Sequence, residues 1–207
     1  MELLLIRHAL PVRIEDADGA ADPELSEAGH HQARHLADYL ADERVHAVYA
    51  SPMRRAHQTA EPVAERQGVS IVIEDGLAEY DRHHNEYIPI EQAKAENHPS
   101  WQEMLDGTWQ QNLGIEPGEF RAAVVSTVER LIGDNPGRKV AAVCHGGVIN
   151  AYFSHMLGLP ASSGFFYPNY TSIHRVAAAR SGERSILTLN ETFHLRGTGL
   201  PVGLYGG

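Results

Sequence analysis

Apolar residues along the chain fall into short unbroken runs separated by longer stretches of three- and four-residue spacing. This is the pattern of strands buried on both faces with helices packed over them. Leu3 to Ile6 is the first run and ends at the charged pair Arg7-His8. Val45 to Ala50, Val69 to Ile73 and Lys139 to Cys144 predict three further strands. Between them, Gln32, Ala33, Leu36, Ala37 and Leu40 keep a helical period, with Ser26 placed to cap its start. Ser51-Pro52 reads as an N-cap followed by proline at the first helical position, opening a helix that reaches about Gln67. Phe120, Val124, Val128 and Leu131 mark another helix, closed by Gly133 to Gly137, and Gly146 opens one that reaches His155.

Near the end, Thr171 to Val176 and Arg184 to Leu189 flank Arg180-Ser181-Gly182 with alternating residues, a hairpin signal. This order predicts an α/β fold: a doubly wound, mostly parallel sheet with an antiparallel edge strand. The periodicity fails from Glu79 to about Gly118, a polar, histidine-rich stretch carrying Trp101 and Trp109. It reads as a partly helical insertion that caps a site. Residues 1–207 are accordingly expected to form one domain with an insertion at about 79–118.

Composition narrows the chemistry. No apolar run approaches the roughly 20 residues needed to cross a bilayer, and the N-terminus lacks the basic opening and cleavage site of a signal peptide. The single cysteine, Cys144, permits no internal disulfide and no thiolate-built zinc site, so a cytoplasmic address is expected. A formal net charge of −10 argues against nucleic-acid partners and anionic membranes. It also confines any anion site to a few identifiable residues. With 13 histidines in the chain, abundance identifies none of them as functional, and position has to do the selecting.

Two strands finish at or just before a histidine: Leu3-Leu4-Leu5-Ile6-Arg7-His8 and Val140-Ala141-Ala142-Val143-Cys144-His145. In open α/β sheets ligands bind at the carboxyl ends of strands, and His145-Gly146-Gly147 leads into a helix whose free N–H groups favour an anion. Each histidine alone is equally well explained as a structural strand cap. Together, beside Arg7, they suggest phosphoryl chemistry. A neutral imidazole is a competent nucleophile toward phosphorus, and guanidinium groups match phosphoryl oxygens. Arg7 and one arginine of Arg54-Arg55 could form that clamp, with His145 as a further donor. Glu79, at the start of the insertion, could protonate the leaving alkoxide, since the like charge of a bound phosphate would raise its pKa.

At this point the residues match a family. Arg7-His8, the run Ser51-Pro52-Met53-Arg54-Arg55-Ala56-His57-Gln58-Thr59-Ala60 and Cys144-His145-Gly146-Gly147-Val148 together resemble the histidine phosphatase superfamily, which includes cofactor-dependent phosphoglycerate mutase. The stretch from Asp22 to Ala33 looks like the helix after the nucleophile loop there, and Leu189 to Leu195 like the closing segment. The resemblance implies that His8 is phosphorylated, that Arg7 and Arg55 bind phosphate, that His145 stabilises the transferring group, and that Glu79 is the acid. Asp81 and Glu86 compete for that last role, and Arg54 is expected at the surface. Neither cofactor nor metal is implied. The expected partner is a small phosphomonoester, and a homodimer is left open.

The chain departs from the family at His8-Ala9-Leu10-Pro11, where glycine and soon afterwards a hydroxyl residue are usual. Arg13 is one candidate to replace the missing phosphate contact. The mutases carry a glycine-containing segment after their glutamate, and Glu79-Tyr80-Asp81-Arg82-His83-His84-Asn85-Glu86-Tyr87 has none, which favours a phosphatase over a mutase. Other signatures fail. There is no Gly-Lys-Ser/Thr phosphate loop, and Asn150 stands where a cysteine phosphatase would need arginine. Asp16-Ala17-Asp18 lies in a polar loop, not after a strand. Three alternatives remain: the cofactor-dependent phosphoglycerate mutase, a metallohydrolase prompted by His83-His84, and a non-catalytic phosphate-binding module on the same fold.

Overall fold

The first strand, β1 (Glu2–Arg7), organises the molecule, a computed structural model that describes residues 1–106, 108, 114, 116–161 and 164–204. Its four apolar residues are fully buried, and they face two different cores by strand alternation. Leu3 and Leu5 join Val140 and Ala142 in a cluster with Val124, Val128 and Leu131 of one helix and Val148, Tyr152 and Phe153 of another. Leu4 and Ile6 point the other way, onto Leu36 and Leu40, and onto Ala56, Ala60 and Val63. A strand covered on both faces needs the continuous apolar run seen in the sequence.

Six strands pair in the order β3-β2-β4-β1-β5-β6, where β2 is Ala47–Ala50, β3 Ile71–Ile73, β4 Lys139–Cys144, β5 Ile173–Ala178 and β6 Arg184–Glu191. The first four in that order run parallel; β5 is antiparallel to β1, and β6 to β5. The fold is therefore the expected mostly parallel α/β sheet, with its one reversed strand a step in from the edge. Register then fixes the chemistry. Arg7 pairs with Cys144 and Ala50 with Val143, so the residues that follow, His8, His145 and Ser51, emerge side by side at one end of the sheet.

Helices α1 (Glu27–Tyr39), α2 (Arg54–Gln67), α5 (Pro117–Asp134) and α6 (Gly146–Met156) cover the two faces. Ser26 caps α1, its hydroxyl accepting from Gly29 N at 3.1 Å. The expectation that Ser51 caps α2 fails. The helix starts later, with Met53 as a cap that makes no side-chain bond. Ser51 is instead buried against His145, and Asp22 of another loop accepts from Arg54 N at 2.9 Å. Strand β3 starts two residues later than the apolar pattern suggests. Gly68 turns left-handed at φ 66° to end α2, and Val69 N is spent on Ala64 O.

The stretch from 79 to 118 contains the short helices α3 (Ile90–Ala95) and α4 (Pro99–Asp106), then the start of α5. Trp101 lies on α4 with the Lys94 ammonium over its ring, and Trp109 falls outside the described residues. Backbone bonds stitch the loop after β1 to the start of this stretch: Ile14 and Tyr87 exchange both of theirs, Ala17 N donates to Asn85 O and Ala21 N to His84 O. Among the described residues no helix is long and apolar enough to cross a membrane.

Candidate active site

The loop carrying His8 is fixed by three elements. His8 N donates to Cys144 O of β4, Ala9 N to the Thr59 hydroxyl of α2 at 2.9 Å, and Leu10 N to Gln32 Oε1 of α1 at 2.7 Å. The imidazole is 2% exposed, and its Nδ1 lies 2.7 Å from Ala9 O. A carbonyl oxygen can only accept, so Nδ1 carries the proton and Nε2 keeps its lone pair. Burial, then the Arg55 and Arg7 charges, hold the His8 pKa well below the usual histidine value. The ring is neutral at physiological pH, with Nε2 free to share its lone pair.

His145 stands 5.1 Å from His8 between ring centroids. Its Nε2 lies 2.8 Å from the Ser51 hydroxyl, whose oxygen already accepts from Met53 N at 3.3 Å. With the hydroxyl proton given to Nε2, the ring proton sits on Nδ1. That nitrogen is buried and has no partner. Two guanidiniums complete the surround. Arg7 donates from Nη1 to Pro168 O at 2.6 Å and lies 4.3 Å and 4.9 Å from the rings of Tyr170 and Tyr167. Arg55, 1% exposed, donates from Nη2 to both oxygens of Asp81 at 2.9 and 3.1 Å and covers the ring of Tyr87 at 4.6 Å. Arg54, one residue away, is exposed and paired with Glu24 at 2.8 Å.

Arg7 Nε, Arg55 Nε and Nη1, and His145 Nδ1 are all buried without a hydrogen-bond partner. Leaving such donors unmet costs on the order of 1–3 kcal/mol each, more for charged groups. Four of them beside one unprotonated Nε2 form a cradle chemically suited to an oxygen-rich anion.

Glu79 is 6% exposed and sits at the start of helix α6, its Oε2 accepting from Gly147 N at 2.7 Å and its Oε1 from Tyr80 N at 3.2 Å. Burial, then the nearby Asp81 charge, push its pKa up to about 7 against the opposing pull of the Gly147 N–H and Arg55. Sequence reasoning assigned that elevation to bound phosphate; burial and Asp81 already produce it in the free protein. A Cβ at position 147 would lie 2.3 Å from Glu79 Oε1, so the carboxyl fits only because residue 147 is glycine.

Other candidates are placed elsewhere. Arg13 is tied to Glu15 and Glu96, each at 2.6 Å, which corrects the expectation that it replaces the missing phosphate contact. Its charge is already matched by two carboxylates. Glu86 is half-buried, its backbone carbonyl 3.3 Å from His84 Nδ1, and His83 and His84 are exposed. Among the described residues no cluster of three or more His, Cys, Asp or Glu could hold a metal ion. Tyr87, met in the sequence only as the last residue of the run from Glu79, lies against Arg55 and close enough to Arg7 to feel its charge. Its order within the stretch gave no sign of this, because the Ile14–Tyr87 pairing that places it is non-local. A groove of about 780 Å³ between β6 and the C-terminal segment, lined by Asn190, Phe193 and Leu200, contains none of these residues.

The chain is similar to known proteins. A sequence model of the histidine phosphatase superfamily (branch 1) matches residues 3–192. Phosphoserine phosphatase 1 of Hydrogenobacter thermophilus is 26% identical over 201 residues, covering 94% of this chain and 94% of that protein. A bifunctional protein of Mycobacterium tuberculosis is 31% identical over 205 residues, and the chain spans 54% of its length. Among solved structures, mycobacterial glucosyl-3-phosphoglycerate phosphatase superposes with a TM-score of 0.71 at 24% identity, covering 92% of this chain and 99% of that one.

Proposed function

We propose, from the premise that this chain belongs to the histidine phosphatase superfamily, that His8 Nε2 is the atom its phosphomonoester substrate phosphorylates. The protein is a phosphatase. In the reading we favour, the phosphoryl oxygens enter the cradle of Arg7, Arg55 and His145 Nδ1, and Nε2 attacks phosphorus from within it. As the P–N bond forms, the P–O bond to the leaving group breaks and its electron pair passes to oxygen. The Glu79 carboxyl gives that oxygen its proton. Positive charge appearing on the His8 ring is met by the Nδ1–H···O=C bond to Ala9. A water then loses its proton to the Glu79 carboxylate and attacks phosphorus; the P–N bond breaks, freeing phosphate and the neutral imidazole.

The observation that carries this reading is the set of orphaned donors around a histidine whose free nitrogen is identified by its own hydrogen bond. It needs no metal and no cofactor. Water is the acceptor we favour over a second phosphoglycerate, because nothing after Glu79 matches the mutase segment. We read residues 1–207 as one domain whose insertion at about 79–118 covers the pocket, and the lone buried Cys144 fits a cytoplasmic setting. The substrate is a small phosphorylated metabolite, and phosphoserine and glucosyl-3-phosphoglycerate, named for the relatives, are the first to screen.

The test is chemical trapping. Wild-type protein mixed briefly with labelled phosphomonoester and quenched in alkali should carry acid-labile label on His8, and His8→Ala should fold but neither label nor turn over. Full activity in His8→Ala would sink the reading.

A further inference from the structure

We propose that Asp81 is a positioning residue for this site, one carboxylate that aims the Arg55 guanidinium into the phosphate cradle and faces the Glu79 carboxyl with a fixed negative charge. The inference rests on the function proposed above and assigns a residue that neither step of that mechanism uses. Asp81 accepts from a single nitrogen of Arg55, Nη2, through both of its oxygens. One side of the guanidinium is thereby occupied, while Nε and Nη1 are left buried and unpartnered. A planar guanidinium held at one corner has its other donors fixed in direction, since the five N–H bonds form a rigid fork. The ring of Tyr87 against the Arg55 face removes the remaining freedom of tilt.

The second action follows from what surrounds Glu79. Facing it are Asp81 from its own loop, Arg55 from α2, the Gly147 N–H at the start of α6, and the Tyr80 N–H. Cys144 at the end of β4 is close enough for its thiol to be pushed upward by the Glu79 charge. Arg55 and the two N–H groups favour the carboxylate. Burial and Asp81 favour the carboxylic acid, and of the two only Asp81 can be removed without rebuilding the pocket. With Asp81 in place, the acid is present at neutral pH; without it, Arg55 and the helix start act on Glu79 unopposed by a like charge. Asp81 keeps a side-chain exposure of 18%, while its partner Arg55 is at 1%.

Asp81→Asn separates these roles, because it removes the charge and keeps an oxygen for Arg55. The measurement is kcat/KM against pH with an alkyl phosphate and with 4-nitrophenyl phosphate, for wild type, Asp81→Asn, Asp81→Glu and Glu79→Gln. In Asp81→Asn the alkaline limb for the alkyl phosphate should move down by about one pH unit, giving about a tenfold loss on its falling side and near-wild-type rates well below it. The nitrophenyl ester, which leaves without a proton, should lose little at any pH. Asp81→Glu, which retains the charge, should return the limb toward its wild-type place, an outcome that a merely structural role for Asp81 would not give. A limb that stays put in Asp81→Asn but vanishes in Glu79→Gln overturns the role of Asp81 and leaves the acid assignment standing. A limb that survives in Glu79→Gln overturns the acid assignment, and the proposal for Asp81 falls with it.

Discussion

Gly147→Ala perturbs the acid without touching its chemistry. The added methyl would sit 2.3 Å from Glu79 Oε1 and 2.4 Å from Tyr80 Cε1, where unstrained carbon contacts are well over 3 Å. The Tyr80 ring cannot simply withdraw, because it packs edge-on against Phe120 at 5.9 Å. The carboxyl must therefore move by about 1 Å and give up the 2.7 Å bond from Gly147 N. A displacement of that size at a proton donor costs roughly a hundredfold in rate, about 2.7 kcal/mol of transition-state stabilisation.

Steady-state kcat/KM for an alkyl phosphate should fall by that factor, whereas 4-nitrophenyl phosphate, with its good leaving group, should fall by less than about fivefold. Vanadate inhibition reads the cradle alone and should barely change. Overpacking should lower the melting temperature by ~2–12 °C, from 1–3 kcal/mol of strain. A Gly147→Ala protein with wild-type rates on the alkyl ester would refute the placement of Glu79 as donor. An equal loss on both esters would show that residue 147 acts on the cradle instead.

Three further outcomes follow from the same geometry. Arg55→Ala should cut kcat/KM about a thousandfold, and Arg54→Ala less than about threefold, because only the first loses contacts to the transferring group; the reverse ranking in steady-state assays would displace the site by one residue. With Glu79 near pKa 7, its acid form is lost as pH rises, so kcat/KM on alkyl esters should decline through about pH 7, while His8, held well below its usual value, sets no limb near neutrality. On stability, Glu43 is pulled down to about 2 by Arg175 and Lys139, so its contribution is present above the ordinary value of 4.5 and lost as pH falls from there toward 2. Glu43→Gln should be less stable than wild type at pH 7 in urea melts, with the difference shrinking toward pH 2.

The centre of the sheet was legible because β1 and β4 are buried on both faces and show up as unbroken apolar runs; Leu3 to Ile6 is unambiguous. The two histidines were legible for a related reason, since parallel register carries the residue after each strand to the same end. What escaped the sequence depends on contacts between segments distant along the chain. Ser51 has the composition and the proline neighbour of a cap, and only the approach of His145 from β4 diverts its hydroxyl. Arg13 looked available because one of its two partners, Glu96, lies 83 residues away. Asp81 could be read from the sequence only as a rival acid, because its bond to Arg55 arises from the folding of one irregular loop against α2.

An anion site in a chain of net charge −10 raises the question of how its field survives. Many arginines are neutralised: Arg13, Arg54, Arg66, Arg130, Arg175 and Arg184 each face at least one carboxylate. Arg7 differs. Among the described residues it pairs with no carboxylate; a backbone carbonyl and the faces of Tyr167 and Tyr170 hold it. Aromatic faces stabilise a guanidinium by about 0.5–2 kcal/mol without cancelling its charge, so the positive potential remains directed at the pocket. Burial strengthens that potential by excluding water and screening salt, whereas the acidic surface is screened within about 10 Å at ordinary ionic strength. Among the described residues Asp81 is the one carboxylate that hydrogen-bonds to either arginine, and it takes one nitrogen of Arg55 while leaving two unpartnered. In the proposed site, the capacity to bind a phosphoryl dianion is therefore set by which buried cations the fold leaves uncompensated, and total charge has little bearing on it.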